Sequence, residues 1–207
     1  MTILWIAVTV IAGYFLGNLN GAVCVSHMMG DDVRNHGSGN AGLTNFIRNY
    51  GTAKALLVIL IDAGKAVVSC VLGGLLLKND MGFTAGATVG GLAVMTGHAF
   101  PALLGFRGGK GILSGLFIAI VADWRIALLI LAVFALAYLI SGYVSLGSVL
   151  AAATFAVSFV VLHWTDPVTA VCGGVMGCLA TFMHRKNISR LIKGEERRTN
   201  LFKKSEK

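Results

Sequence analysis

The stretch AKALLVILIDAGKAVVSCVLGGLLL, residues 53–77, decides the fold class. A transmembrane helix needs about 20 predominantly apolar residues, and this stretch is longer than that. Asp62 and Lys65 lie inside it, one helical turn apart. Ionisable groups within a membrane are costly, so they are usually paired or functional. The stretch therefore predicts a membrane-spanning helix that carries either a structural ion pair or a substrate-binding lysine.

The composition of the whole chain points the same way. Of the 207 residues, 56% are hydrophobic and 13% are charged. When the 27 glycines are counted and the four tyrosines are left out, the apolar share is roughly 67%, whereas soluble domains average about 45–50%. One soluble core of this size cannot bury so much apolar surface. The composition thus excludes a disordered chain, a basic nucleic-acid-binding domain and a disulfide-stapled secreted fold.

Apolar blocks along the chain define the predicted topology. They lie near residues 3–26, 53–77, 84–104, 111–122, 125–141, 146–163 and 168–183. The first three are long enough to cross a bilayer, whereas 111–122 is too short, and a re-entrant segment is the alternative for it. We favour seven crossings, because Asp123 and Arg125 would otherwise lie in hydrocarbon. The sequence thus predicts one all-α polytopic membrane domain over residues 1–207, with several short transmembrane helices.

The basic residues are distributed unevenly between the two predicted sides. With seven crossings, the loops 27–52 and 105–110 and the tail 184–207 share one side, which holds most of the Lys and Arg residues. The other side holds only Lys78 and Arg125. The positive-inside rule then places the N-terminus outside and the tail in the cytoplasm. The net charge of +8 is therefore an orientation signal rather than evidence of a nucleic-acid partner.

The first polar cluster is the loop RNHGSGNAGLTNFIR, residues 34–48. Its glycines at 37, 39 and 42 match a dinucleotide-binding fingerprint, but no strand precedes them and no βαβ unit surrounds them. What remains is a loop of backbone N–H groups with hydroxyl, amide and arginine side chains. Such a loop is suited to holding a phosphate. The alternative is a solvated loop of turn residues.

The second polar cluster is GHAFP at 97–101, followed by FRGGKG at 106–111. Three glycines surround Lys110 and lead directly into the next helix. Backbone N–H groups and the positive end of the helix dipole would then face an anion beside the lysine charge. The pattern is not a P-loop, because Leu104 replaces the leading glycine and Gly111 replaces the Ser or Thr that holds Mg²⁺. The alternative is a tight turn between helices.

The third polar cluster is HRKNISR, residues 184–190. His184 and Asn187 are three residues apart and share a helix face. His184 is a candidate general base or a hydrogen-bond donor to a phosphate. The other basic residues of the tail are more typical of an orientation signal or a contact with anionic lipid. Ser145, in the segment YVSLGS at 143–148, is expected either to cap the next helix or to contact a ligand.

All three clusters lie at loop–helix junctions on the predicted inner side. We expect no metal or cofactor, since neither a Cys/His metal spacing nor a Ser-His-Asp set is evident. The residues alone indicate a membrane protein that handles one or two phosphate-bearing substrates at the cytoplasmic interface. A transporter of an organic phosphate is the rival class, supported by Asp62, Lys65 and the glycine-rich breaks. Against it, the polar residues gather on one face and do not form a line across the bilayer.

These clusters resemble the bacterial acyl-phosphate:glycerol-3-phosphate acyltransferase family over nearly the whole chain. Three motifs align in order: GSGNxGxTNxxR at 37–48, GHxFP through FRGGKG at 97–111, and HRxNIxRLxxGxE at 184–196, whose final acid is Glu196 or Glu195. The resemblance implies seven helices and transfer of a fatty acyl group from acyl phosphate to the 1-hydroxyl of sn-glycerol 3-phosphate. The products would be lysophosphatidic acid and phosphate, with neither acyl-CoA nor acyl carrier protein as the direct donor.

The motifs and the resemblance together define the expected site. The partners would be acyl phosphate, sn-glycerol 3-phosphate and membrane lipids, without nucleic acid, in the inner membrane of a bacterial cell. The expected catalytic residues are Ser38, Lys110, His184 and Asn187. The expected substrate-binding residues are Arg48, Asn40, Thr44, Asn45, Lys65, His98, Arg107, Gly108, Gly109, Gly111 and Ser145.

The chain departs from the family pattern at a few positions. Asn18 and Asn20 stand where the family usually has the Ser and Pro of Gly-Ser-x-Pro. Ala66 follows Lys65 where Gly is usual, and Arg107 replaces the usual Lys. A divergent paralogue with another acceptor, or with no activity, is therefore a second alternative to the acyltransferase.

Overall fold

The computed structural model describes residues 1–198, and every regular element within that range is helical. The α-helices are α1 (Thr2–Asn18), α2 (Gly21–His27), α3 (Leu43–Tyr50), α4 (Ala55–Met81), α5 (Phe83–Ala99), α6 (Ile112–Ala122), α7 (Trp124–Ser141), α8 (Val144–Leu162), α9 (Pro167–Met183) and α10 (Arg185–Ile192). Short 3₁₀ turns lie at Val33–Asn35 and Ala102–Leu104. The basic residues Lys203, Lys204 and Lys207 of the predicted lipid-contacting tail lie outside the described residues.

Four of the helical segments are long and apolar enough to cross a membrane: α4, α5 with the turn that follows it, α7 and α8. Two bent pairs pass the same test when each pair is taken as one segment. These are α1 with α2, bent by 41°, and α9 with α10, bent by 54°. The all-helical, multi-span architecture is thus confirmed. Helix α6 has 11 residues, in agreement with the expectation that 111–122 is too short for an ordinary crossing.

The surface of the bundle is apolar where a soluble protein would be polar. Leu139, Val161 and Val171 are 69%, 60% and 62% exposed, and many other large aliphatic side chains share this exposure. Small residues fill the interior instead. A Cβ at Gly17 of α1 would collide with the Val94 carbonyl oxygen of α5, so this glycine permits a close approach of the two helices, as small residues at membrane helix interfaces do.

The first predicted block, 3–26, is not one continuous helix. Helix α1 ends at Asn18 and α2 begins at Gly21, because Leu19 and Asn20 adopt extended backbone angles. The Asn20 side chain accepts a hydrogen bond from the Val23 N–H and so caps α2. An apolar run does not reveal such a cap, since hydropathy alone is blind to backbone direction.

The loop between α2 and α4 is held against the bundle by its own small core. Val33, Ala41 and Phe46 are fully buried and pack with Val58 of α4. Arg34 adds a polar connection, because its guanidinium pairs with Asp32 and donates to the Leu104 carbonyl. These contacts bury part of the segment, whereas residues 35–39 are exposed, so the solvated-loop alternative does not describe the whole of it.

A charged cluster lies at the C-terminal end of α6, where α7 begins. Asp123 caps α7 by accepting from the Arg125 N–H, and its carboxylate pairs with the Arg125 side chain at 2.6 Å and with His163 at 3.1 Å. The carboxylate is buried, whereas the Arg125 side chain is 59% exposed. The two charges that decided the predicted crossing count thus neutralise each other at this end.

Candidate active site

The three polar clusters meet in one cavity of about 280 Å³. Its polar wall is formed by Ser38, Asn40, Thr44, Asn45, Arg48, Asp62, His98, Lys110, Ser145, Ser148, His184, Asn187, Arg190 and Glu196. Its apolar wall is formed by Leu43, Ile112, Leu113, Leu116, Ile130, Leu131, Phe134, Val144 and Ala151. The cavity can therefore receive a ligand that has a polar head and an aliphatic chain.

Four helices direct their N-terminal ends at this cavity. First-turn residues of α3, α6, α8 and α10 all line it: Leu43, Thr44, Asn45, Ile112, Leu113, Val144, Ser145 and Asn187. The N-terminus of a helix presents unpaired N–H groups and the positive end of the dipole. Gly111 precedes α6 in the left-handed conformation, with φ at 79°, which favours glycine there. The first turns of four helices at one cavity favour the binding of an anion there.

Asn45 organises the glycine-rich loop. Its side-chain Oδ1 accepts from the Ser38 N–H at 3.0 Å, and its side-chain N–H groups donate to the backbone carbonyls of Val33, His36 and Asn40. All of these bonds are internal to the loop. Asn45 lines the cavity as predicted, but its polar atoms are already engaged, so it shapes the loop on which Ser38 and Asn40 face the cavity.

Cationic side chains outnumber carboxylates in the polar wall. The Lys110 ammonium donates to the side-chain Oδ1 of Asn187, and the side-chain N–H of Asn187 donates to the Glu196 carboxylate. Glu196 also pairs with Arg190 at 2.7 Å. With Arg48, three cations line the cavity together with two carboxylates, Asp62 and Glu196, each of which already has a basic partner. This surplus of positive charge matches the charge of a phosphate monoester.

Burial and charge lower the pKa of the two predicted phosphate-binding cations. For Lys110, burial is the main cause and the neighbouring Arg190 and Arg48 add to it, so its pKa falls to about 8 although Glu196 opposes the shift. Burial likewise lowers the pKa of Arg48. Cations that destabilise each other in this way gain most when an anion arrives between them.

His184 has a defined tautomer when it is neutral. Its Nδ1 lies 2.8 Å from the Ala180 carbonyl oxygen, one turn back in α9. Because a carbonyl oxygen only accepts, Nδ1 must carry the hydrogen, and Nε2 is left as the unprotonated nitrogen. The side chain is buried and lines the cavity. This geometry suits a proton acceptor, as predicted from the sequence.

Ser145 contributes a buried hydroxyl to the polar wall of the cavity. It is 8% exposed, and its hydroxyl finds no hydrogen-bond partner among residues 1–198. The prediction that it caps α8 is wrong, because it lies inside that helix and the cap position is occupied by Tyr143. A buried hydroxyl without a partner is costly, typically by about 1–3 kcal/mol. The other predicted role, a ligand contact, would satisfy it.

Asp62 and His98 form the back of the cavity and are joined through Lys65. The Lys65 ammonium lies 2.8 Å from the Asp62 carboxylate and 2.7 Å from the His98 Nδ1. It also donates to the carbonyls of Gly17 and Leu19. The structure favours the ion-pair alternative over the substrate-binding lysine, because Lys65 itself does not line the cavity and its ammonium is bonded to protein atoms.

Three further predicted substrate contacts lie outside the cavity wall. Arg107 is exposed to the surroundings of the bundle. Gly108 and Gly109 pass beneath the end of α5, where the Gly109 N–H donates to the His98 carbonyl. They hold the loop in place, and only Lys110 and Gly111 of this motif reach the cavity. The predicted site does not include Arg190 and Glu196, although both belong to the same motif at 184–196 as His184 and Asn187.

Comparisons with known proteins show which family the chain belongs to. The sequence model of the family described as "Glycerol-3-phosphate acyltransferase" matches residues 7–194. A glycerol-3-phosphate acyltransferase of Maricaulis maris (strain MCS10) is 38% identical, over 96% of this chain and 89% of the relative. One of Thermoanaerobacter sp. (strain X514) is 34% identical, over 93% of this chain and 95% of the relative.

Two crystal structures of PlsY, an integral membrane glycerol 3-phosphate acyltransferase, show the same fold. The glycerol 3-phosphate form gives a TM-score of 0.85 at 30% identity and covers 96% of this chain and 99% of its own. The lysophosphatidic acid form gives a TM-score of 0.81 at 30% identity and covers 94% and 95%. With a match along almost its full length in family, relatives and fold, the chain belongs to the glycerol-3-phosphate acyltransferase family of integral membrane enzymes.

Proposed function

We propose that this chain transfers a fatty acyl group from acyl phosphate to the 1-hydroxyl of sn-glycerol 3-phosphate. One observation carries the proposal: three cations and four helix N-termini converge on a cavity whose other wall is apolar. The cationic wall suits the two phosphates, and the apolar wall suits the acyl chain. The helices that border the apolar wall also face the bilayer, where an acyl substrate resides.

The proposed chemistry is a single displacement at the acyl carbon. The 1-hydroxyl oxygen forms a bond to that carbon, and the bond from the carbon to the phosphate oxygen breaks, which releases phosphate and lysophosphatidic acid. Acyl phosphate is already activated, so a covalent enzyme intermediate is not needed. The hydroxyl proton passes to Nε2 of His184 or to a phosphate oxygen of the substrate. Backbone N–H groups and Lys110 would stabilise the charge that develops.

Positioning is expected to supply much of the rate. Asn187 is held between Lys110 and Glu196, so its amide is already ordered before a substrate binds. Ser38 and Asn40 are presented by the loop that Asn45 organises. Groups fixed in this way reduce the entropy lost when the hydroxyl meets the acyl carbon. Arg48 is proposed to bind one phosphate through its planar guanidinium.

We also propose the topology and location that the sequence predicts. Seven crossings follow if each bent pair and the short α6 all cross the bilayer. The N-terminus then lies outside, and the cavity opens at the cytoplasmic side of a bacterial inner membrane. The exposed basic residues Arg185, Lys186 and Lys193 of the α10 region would face the anionic lipid of that leaflet. Residues 1–207 are proposed to form a single integral membrane acyltransferase domain.

A product assay tests the proposed function. Purified protein given acyl phosphate and glycerol 3-phosphate should release phosphate and lysophosphatidic acid in equal amounts. Uptake of labelled glycerol 3-phosphate into liposomes without product would indicate the transporter, and binding without turnover would indicate an inactive paralogue. Neither Asn18 nor Asn20 lines the cavity, so these departures from the family pattern give no support to a different acceptor.

Replacing Ser145 by Ala is expected to lower kcat/KM about tenfold, because a buried hydroxyl that awaits a ligand loses its hydrogen bond to that ligand. The thermal unfolding midpoint should stay the same or rise, since the substitution loses no internal hydrogen bond and removes a buried hydroxyl without a partner. Steady-state kinetics and a detergent melting curve measure the two effects. Ser158→Ala, a buried serine further along α8, serves as the matched control. Unchanged kcat/KM in Ser145→Ala would remove Ser145 from the substrate site.

The activity should decline at alkaline pH through Lys110. Its pKa of about 8 means that the ammonium is present below this pH and is lost as the pH rises through it. The profile of kcat/KM, which reports groups of the free enzyme, should therefore fall above about pH 8. Lys110→Arg should move this fall upward by more than two pH units, because arginine stays charged. An identical alkaline limb in both proteins would contradict the assignment.

A further inference from the structure

The break between α1 and α2 is held by several side-chain hydrogen bonds to its backbone. Leu19 and Asn20 interrupt the helix, so the last carbonyls of α1 and the first N–H groups of α2 lose their intrahelical partners. The break lies next to buried positions, with Asn18 5% and Asn20 0% exposed. Such groups need other partners in a membrane interior.

The ion pair of α4 supplies those partners. The Lys65 ammonium donates to the Gly17 and Leu19 carbonyls at the end of α1. The Asp62 carboxylate accepts from the Gly21 N–H at 3.1 Å, at the start of α2. A cation thus meets the negative end of one helix dipole and an anion meets the positive end of the next. The pair anchors the break from one side.

The two asparagines of the break face the other way, each toward a different anion-binding loop. The side-chain Oδ1 of Asn18 accepts from the Leu103 N–H at 2.9 Å, in the turn that precedes the Lys110 loop. The Asn20 amide donates to the Ala41 carbonyl at 2.9 Å, in the glycine-rich loop 37–42. Neither asparagine lines the cavity. They contact the backbones that carry the cavity's polar residues.

We propose that the break between α1 and α2 is a positioning element that sets the two phosphate-binding loops relative to each other. Asn20 holds the loop 37–42 and Asn18 holds the turn before Lys110, while the ion pair behind them keeps the break rigid. The proposal rests on the proposed function for the roles of the loops. The Ser and Pro that usually stand at these positions could not reproduce the Asn20 bond, since a proline side chain has no donor.

Three variants test the loop contacts, and one of them keeps the cap of α2. Asn20→Ser retains a capping hydroxyl for α2 but is too short to reach Ala41. Asn20→Pro removes the same donor and keeps the backbone extended. Asn18→Ala removes the acceptor for Leu103. Ser69→Ala is the matched control, because its hydroxyl bonds to the Gly90 carbonyl between α4 and α5, remote from both loops.

Hydrogen–deuterium exchange followed by mass spectrometry provides the decisive readout. Asn20→Ser and Asn20→Pro should speed exchange about tenfold in residues 37–42, with residues 101–111 unchanged. Asn18→Ala should show the opposite pattern, and Ser69→Ala neither. This readout is independent of turnover. An inactive wild-type protein would overturn the proposed function, whereas equal exchange in both loops in all variants would overturn the positioning role.

Kinetics provide the second arm of the test. Each asparagine variant should raise KM about tenfold for one of the two phosphate substrates, and not the same one, with kcat within about twofold of wild type. A purely structural role would lower the amount of active protein, and hence the apparent kcat, without this split in KM. If both variants raise neither KM, the break does not position the loops.

Discussion

The Lys110→Ala enzyme should lose activity by a factor of about 10²–10³ in kcat/KM, the range seen when one charge-stabilising donor is removed from an active site. Lys110 sits in the loop before α6, donates to Asn187 and faces Arg48 and Arg190 across the cavity. Its removal takes away one of three cations and leaves the Asn187 amide without its donor partner. Steady-state assays with both substrates measure the loss.

Two companions sharpen this prediction. Arg48→Ala should also lower kcat/KM strongly, because Arg48 lines the same cavity as Lys110. Lys54→Ala is the charge-matched control, since Lys54 is an exposed lysine just before α4 and lies outside the cavity wall. Full activity in both Lys110→Ala and Arg48→Ala would contradict the assignment of the phosphate sites.

Breaking the buried ion pair of α4 should have the largest effect on stability. The side chains of Asp62 and Lys65 are 3% and 2% exposed, so either single replacement, Asp62→Asn or Lys65→Met, leaves one buried charge without its counter-ion. Removal of one partner from such a pair costs about 3–5 kcal/mol in the free energy of unfolding. The thermal unfolding midpoint in detergent should fall steeply in both single variants.

The double variant Asp62→Asn with Lys65→Met distinguishes charge from packing. It leaves no unpaired charge, so it should recover much of the stability that either single variant loses. Asp80→Asn, which removes an exposed carboxylate near the end of the same helix, should change the midpoint little. A double variant as unstable as the sum of the singles would show that the charges themselves are not what the fold requires.

The sequence was sufficient for the features that depend on composition and local pattern. Apolar blocks identified the helices, because a membrane span is a length of hydrophobic chain. The three polar clusters identified the cavity, since polar residues are rare in so apolar a chain and each cluster had a short, ordered motif. His184, Asn187, Lys110 and Arg48 all line the cavity that the motifs predicted.

Other features depend on where backbone atoms from distant segments meet. The sequence leaves two roles open for Lys65, an ion pair and a ligand contact, because its partners Gly17, Leu19 and His98 are far away in the sequence. The engagement of Asn45 with three loop carbonyls has the same origin. Hydrogen-bond satisfaction is a property of the folded backbone, and residue type alone does not reveal it.

The sequence by itself therefore determined a helical membrane protein of the acyltransferase family and the loops that carry its chemistry. Only the tertiary structure decided which residues face the substrates and which hold the loops in place. It brought four helix N-termini to one cavity, and it turned Asn18 and Asn20 away from that cavity toward two loop backbones. The physical reason is that hydropathy acts locally along the chain, whereas the direction of a polar side chain is set by the partner it finds across the bundle.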